Sequence, residues 1–110
     1  MKDKCIVFGA GRFFESYVAI IEDKYTILAV ADNDLSLVGK NKCGYNIISP
    51  GDINRYNYDT VLICITEPRD VQQQLIDNGI ENISLFIAPG LVYYYGEKNI
   101  AKEIRSFVRP

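Results

Sequence analysis

Apolar residues follow two rhythms along this chain. Cys5-Ile6-Val7-Phe8, Tyr25 to Ala31 and Thr60-Val61-Leu62-Ile63-Cys64-Ile65-Thr66 are runs with almost no polar interruption, which marks strands covered on both faces, as in a parallel sheet. Between the first two, Phe14, Tyr17, Val18 and Ile21 recur at i, i+3, i+4 and i+7. That spacing predicts a helix from about Arg12 with one buried stripe. A third, shorter strand is predicted at Tyr45–Ile48 and a fifth at Ile83–Ile87. Ser49-Pro50-Gly51-Asp52 sets a hydroxyl cap, a first-turn proline and an acidic third position at the start of a short helix reaching about Tyr56. Glu67 to Asn78 reads as a longer helix stopped by Gly79. The stretch from Asp32 to Gly44 is rich in turn formers and reads as a long surface loop. From Glu97 onward, Ile100, Ala101, Ile104, Phe107 and Val108 outline a last amphipathic helix. Lys102, Arg105 and Arg109 lie toward its C-terminal end, where the helix dipole favours cations.

This alternation of strand and helix implies an α/β fold: an open parallel five-stranded sheet with helices on both faces. Right-handed crossovers give the strand order 3-2-1-4-5. At 110 residues the chain has room for one domain, spanning residues 1–110.

The first strand runs directly into Gly9-Ala10-Gly11. A glycine at a strand's end permits a tight reversal, and a second one removes the side chain that would keep a phosphate from the backbone. The amides opening the next helix then offer fixed donors at a positive dipole end. Asp32 follows at about the 20-residue interval from which an acidic side chain reaches a ribose hydroxyl. An aspartate in Asp32-Asn33-Asp34 has a plainer use as well, since it bonds nearby backbone amides in a turn. No arginine follows Asp32 directly, which favours a free 2′-hydroxyl over a 2′-phosphate, although Lys40 and Lys42 lie on the following loop. Phe14 stands where the third glycine of the dinucleotide fingerprint belongs. Its presence implies a shifted helix or a ring used as core.

The residues placed to hold a ligand are therefore Gly9, Ala10, Gly11, Arg12 and Phe13 on the turn, Asp32 and Asn33 after the second strand, and Thr66 and Glu67 after the fourth. Arg12 either pairs with a phosphate or is a solvated helix residue. Thr66, Glu67 and Arg69 stand beside the point where strand order reverses; a helix cap at Thr66 with Glu67 in the first turn is the competing account. Tyr94 and Lys98 spell the tyrosine–lysine pair of short-chain dehydrogenases. Gly96 interrupts the helix which that pair requires, so Tyr93-Tyr94-Tyr95 is read as packing under the last helix or as a contact surface.

Charge and composition narrow the function. The chain has 12 basic and 14 acidic residues, a net charge of −2, and no basic cluster, which argues against a nucleic-acid partner. No apolar run approaches the ~18–20 residues of a membrane span, and Met1-Lys2-Asp3-Lys4 leads into a strand instead of a signal sequence; a cytoplasmic protein is expected. Cys5, Cys43 and Cys64 lack C-x-x-C spacing and read as reduced thiols, two of them inside strands. There is no histidine, so the commonest general base and zinc ligand are missing. Neither a catalytic residue nor a metal site is assigned.

Ile6-Val7-Phe8-Gly9-Ala10-Gly11, Ala29-Val30-Ala31-Asp32-Asn33-Asp34, Gly39-Lys40 with Gly44-Tyr45-Asn46-Ile47-Ile48-Ser49-Pro50, and Tyr58-Asp59-Thr60-Val61-Leu62-Ile63 together resemble the N-terminal Rossmann-like modules of two groups of bacterial sugar-modifying proteins. One is the sialic-acid-type and bacillosamine-type sugar acyltransferases. The other is the polysaccharide-biosynthesis epimerase/dehydratases, to which Pro89-Gly90-Leu91 and Gly96 are also similar. Related modules accept UDP-sugars, NAD or CoA. The resemblance implies a nucleotide-binding module, for NAD or a nucleotide-sugar, without catalysis of its own and acting as a homo-oligomer or with a partner domain. Two alternatives stay open: a subunit or excised domain of a sugar acyltransferase or epimerase, and an interaction domain that binds no ligand.

Overall fold

A computed structural model describes residues 1–88; the expected last helix, Tyr93-Tyr94-Tyr95 and the Tyr94/Lys98 pair lie outside the described residues. The chain forms β1 (Asp3–Phe8), α1 (Arg12–Lys24), β2 (Tyr25–Ala31), a short 3-10 turn at Leu35–Leu37, β3 (Asn41–Lys42), β4 (Tyr45–Ile48), a 3-10 helix at Pro50–Arg55, β5 (Thr60–Ile63), α2 (Arg69–Asp77) and β6 (Ile83–Leu85). The sheet order is β3-β4-β2-β1-β5-β6. Five of its strands are parallel neighbours in the expected 3-2-1-4-5 arrangement. The sixth corrects that expectation: β3 is a two-residue strand paired antiparallel to β4 at the sheet's edge.

Two apolar layers sandwich the sheet because strand side chains alternate between faces. Cys5, Val7, Val30 and Leu62 join Phe14 and Ile21 of α1 on one side. Ile6, Phe8, Ala29, Ala31, Val61 and Ile63 join Ile53, Val71 and Leu75 on the other, under the 3-10 helix and α2. The β1–β2 register shifts between Cys5 and Ile6, so Leu28 is the extra residue, and Leu28 and Ala29 both serve the second layer. Phe14 is fully buried and edge-on to Tyr45. Its ring is core, a burial worth about 1.5–3 kcal/mol.

Several boundaries differ from the sequence reading for local reasons. The helix expected from Glu67 starts at Arg69, with Pro68 as its N-cap, because a proline pushes the residue before it out of helical geometry. Thr66 is therefore not the cap. The helix after Ser49 is 3-10 throughout, and the Ser49 hydroxyl makes no cap bond; it donates instead to the Asp52 carboxylate. The fourth predicted strand ends at Ile63 and the fifth at Leu85.

The expected surface loop contains a hairpin. Cys43 and Gly44 carry φ of 53° and 90°, the two positive angles of a tight type I′ connection, and the Gly44 amide donates to the Asn41 side chain. Lys42 bonds Glu15 of α1 at 2.7 Å, and the Tyr45 hydroxyl donates to Glu22. These contacts pin the hairpin to α1, and the Lys42 ammonium holds the Glu15 carboxyl below its ordinary range. Lys42, a candidate for a 2′-phosphate, is thus engaged elsewhere.

Cys5 and Cys64 are buried and Cys43 is exposed. Burial pushes both buried thiols up from about 9 to about 12, so they stay protonated in the folded protein while an unfolded thiol ionises. Their contribution to stability is whole below pH 9 and is lost as pH rises toward 12. A disulfide-exchange reagent at pH 8 is expected to titrate one thiol in the native protein and all three in denaturant. Fast modification of a second thiol under native conditions would contradict this burial.

Candidate nucleotide site at the carboxyl edge of the sheet

Strand order reverses at β1. The chain moves outward from β1 through β2 to β4, then crosses back to place β5 on the other flank of β1. In open α/β sheets the crevice at such a reversal, outside the carboxyl ends of the strands, is where ligands bind. The residues closing that edge are Gly9–Arg12 after β1, Asp32–Asp34 after β2 and Cys64–Glu67 after β5.

Gly9 is the tightest point. Its φ is +122°, and a Cβ there would lie 2.5 Å from Ile65 Cγ2 and 2.6 Å from the Cys64 carbonyl oxygen. Its amide donates to the Ala31 carbonyl at 2.8 Å, while the Cys64 amide donates to that of Phe8 at 2.8 Å. The ladders on both flanks of β1 thus continue into the turn. Ala10 buries its methyl group among the residues under α1.

Gly11 behaves differently. It is the N-cap of α1, with φ −92° and no side-chain cap bond, it is exposed, and a Cβ at this position would meet nothing within 4 Å. The fold itself therefore does not require glycine here; serine, asparagine or aspartate would cap the helix slightly better. Beyond Gly11, the amides of Arg12, Phe13 and Phe14 form the first turn, whose N–H groups have no acceptor within the helix. The open space above Gly11 adjoins donors at a positive dipole end. Arg12 is exposed at the same turn. The Phe13 ring packs instead against Tyr17 and Phe86, with centroids 5.2 and 6.0 Å away, so at Phe13 only the amide faces this role.

Asp32 joins the turn to the second strand. One carboxylate oxygen accepts the Ala10 amide at 2.8 Å and the other accepts the Asp34 amide at 2.8 Å. The plainer use of Asp32 is realised, and it reaches across to the glycine turn as well. A carboxylate has about four acceptor positions, so two remain for a hydroxyl. Asp34 repeats the device locally: it accepts the Ser36 amide and hydroxyl, which holds its carboxyl below the ordinary range. Asn33 faces the other way and exchanges two 2.8 Å hydrogen bonds with Gln74 of α2. Sequence reading missed Gln74; it lies mid-helix in a run of three glutamines that carries no site signal. Thr66 and Glu67 are exposed in the segment between β5 and α2.

Loss of the Asp32 carboxylate removes two charge-assisted bonds that shape the turn. The bond to Asp34 is exposed and water replaces it, so Asp32→Ala is expected to lower stability by about 1.5–3 kcal/mol, the value of the part-buried bond to Ala10, read as a lower urea midpoint at unchanged slope. An unchanged midpoint would show that the turn holds without it.

The sheet, its reversal point and the glycine turn at a helix start define a Rossmann-like α/β domain. The chain belongs to the family described as C2185-like, N-terminal, whose model matches residues 1–85. No protein with a curated description matches it in sequence. Among solved structures it is similar to UDP-D-quinovosamine 4-dehydrogenase from Vibrio fischeri, with a TM-score of 0.67 and 16% identity over 86% of this chain and 85% of that one. It is also similar to RSP, a Rex-family repressor. The RSP complex with β-NADH gives a TM-score of 0.58 and 13% identity, covering 98% of this chain and 64% of RSP; the complex with β-NAD+ and operator DNA gives 0.56 and 14%, covering 98% and 63%. This chain therefore spans somewhat under two thirds of RSP. At these identities the likeness is one of fold. Among the described residues, no helix is long and apolar enough to cross a membrane.

Proposed function

We propose that this domain binds a nucleotide, NAD or a nucleotide-sugar, with its phosphates over Gly9–Arg12 and a ribose or sugar hydroxyl on Asp32. The observation that carries the reading is Gly11: a glycine without internal cause, open to solvent, at the first turn of a helix beside the reversal of strand order. The likeness to one protein solved with NADH and to another that acts on a UDP-sugar supports the same class of ligand. The sequence resemblance to sugar-modifying proteins points to bacterial cell-surface sugar metabolism as the setting. In this reading the domain supplies binding, and any catalysis belongs to a partner domain or subunit.

Thermal unfolding in the presence of UDP-sugars, NAD, NADP and CoA tests the reading, because a ligand that binds only the folded state stabilises it by RT ln(1 + [L]/Kd). At a hundred-fold excess over Kd the gain is about 2.7 kcal/mol, which moves the midpoint of a domain this size by roughly 10 °C or more. NAD or a UDP-sugar is expected to give that shift. No shift with any of the panel would favour an interaction domain.

A further inference from the structure

The two faces of the sheet are covered unequally. The crossover from β1 to β2 carries α1 over the first layer, and the crossover from β5 to β6 runs the opposite way along the sheet, so the same handedness carries α2 over the second. Among the described residues, α1 is thus the one α-helix whose side chains join the first layer. Besides its buried residues Phe14 and Ile21, α1 presents a second stripe, Phe13, Tyr17 and Ile20 at i, i+4 and i+7, on its flank toward β6. The rings of Phe13 and Tyr17 are half-buried, with centroids 6.0 and 5.6 Å from that of Phe86. Ile20 is 42% exposed. At the opposite, amino end of the strands the same face turns polar, where the Tyr25 phenol bonds Ser84 and Ser84 bonds Thr60.

We propose that residues 97–109 of this same chain dock as an amphipathic helix along the Phe13-Tyr17-Ile20 flank of α1, over β5 and β6. A parallel sheet needs cover on both faces, and the chain leaves β6 in the right place to supply it. Phe86 and Ala88 belong to the first layer, and Phe86 meets Phe13 where α1 begins. The stretch 89–96 opens with the turn pair Pro89-Gly90 and extends to roughly 26–29 Å, ample to reverse at the carboxyl edge and descend beside α1. Ile100, Ile104 and Phe107 repeat the i, i+4, i+7 spacing of the α1 stripe, so two helices running the same way set apolar side chain against apolar side chain. Charge matches too. In α1, Glu15, Glu22 and Asp23 outnumber Arg12 and Lys24, whereas in 97–109 Lys98, Lys102, Arg105 and Arg109 outnumber Glu97 and Glu103. Arg105 and Arg109 fall at the end of the segment that lies beside Glu22 and Asp23.

The test is nuclear magnetic resonance on the intact, unmodified chain, with isotope-labelled and unlabelled molecules mixed so that contacts within one chain and between two chains are read separately. Nuclear Overhauser contacts from the Ile104 methyl groups to the Tyr17 ring, and from the Phe107 ring to the Ile20 methyl groups, are expected within one chain and without any ligand. Ile104→Asp is expected to abolish the first of these and to lower the melting temperature by about 4–8 °C. Contacts that arise only between chains would overturn the proposal by making a second copy the occupant of this face. Absence of both contacts, or an Ile104→Asp protein that melts at the unmodified temperature, would overturn it and leave the face to a different protein. Should Ile104→Asp fail to fold, the contacts in the unmodified chain decide.

Discussion

Gly9→Ala is expected to be the most destabilising single-methyl change in the described part of this domain. Two costs act together. At φ +122° an L-residue sits in a sparsely populated conformation, and the new methyl carbon would stand 2.5 Å from Ile65 Cγ2 and 2.6 Å from the Cys64 carbonyl oxygen. Ile65 can move its side chain. The carbonyl cannot yield without breaking the β1–β5 ladder, which continues through the bond from the Cys64 amide to Phe8. Backbone strain of about 1–3 kcal/mol and overpacking of similar size suggest a loss of about 2–6 kcal/mol. Domains of this length have roughly 5–15 kcal/mol in total. Chemical denaturation should show a large fall in midpoint, or a protein already partly unfolded in buffer. A change under about 0.5 kcal/mol would mean that the turn is not held against β5.

Gly11→Val, two residues on, is expected to do the reverse: the fold survives and the ligand is lost. The backbone angles at Gly11 are extended and suit any residue, and its missing Cβ leaves open space. Glycine is the better N-cap of the two, so the exchange should cost roughly 0.5–1.5 kcal/mol, which leaves the fold standing. The branched side chain fills the volume above the first turn of α1, where a phosphate must stand to meet the amides. Displacing it from two charge-assisted bonds weakens binding by roughly 3–6 kcal/mol, or about 10²- to 10⁴-fold. Calorimetry with the ligand selected by thermal shift, beside a melting curve, separates the two effects. Undiminished affinity in a folded Gly11→Val protein would exclude this turn as the phosphate site. The two glycines look alike in the sequence and have opposite reasons to be there.

The parallel sheet was legible in the chain because its strands are covered on both faces and so carry unbroken apolar runs, and α1 was legible because its buried stripe repeats with the helical period. Both signals come from burial that recurs at fixed intervals along one segment. The extra strand β3 escaped for want of such a repeat: two residues cannot show alternation, and its turn uses Cys43-Gly44 where asparagine–glycine is the usual mark. The start of α2 shifted because Pro68 excludes Glu67 from the helix, and the helix after Ser49 kept its expected bounds but is 3-10, with the Ser49 hydroxyl bonded to Asp52 and not to a cap amide.

In the candidate site, sequence alone determined which residues stand at the ends of β1 and β2 and which segment follows β5, although β5 stops at Ile63 and not at Thr66, since chain order and crossover handedness place those ends on one edge. Tertiary structure decided what each does there. Gly9 owes its identity to Ile65 and the Cys64 carbonyl, more than 50 residues later. The Asp32 carboxylate spans from β2 to the Ala10 amide, and Asn33 finds Gln74 on a helix that sequence spacing does not connect to it. Such contacts depend on strands separated in the chain lying side by side, and only their packing brings those atoms within hydrogen-bond reach.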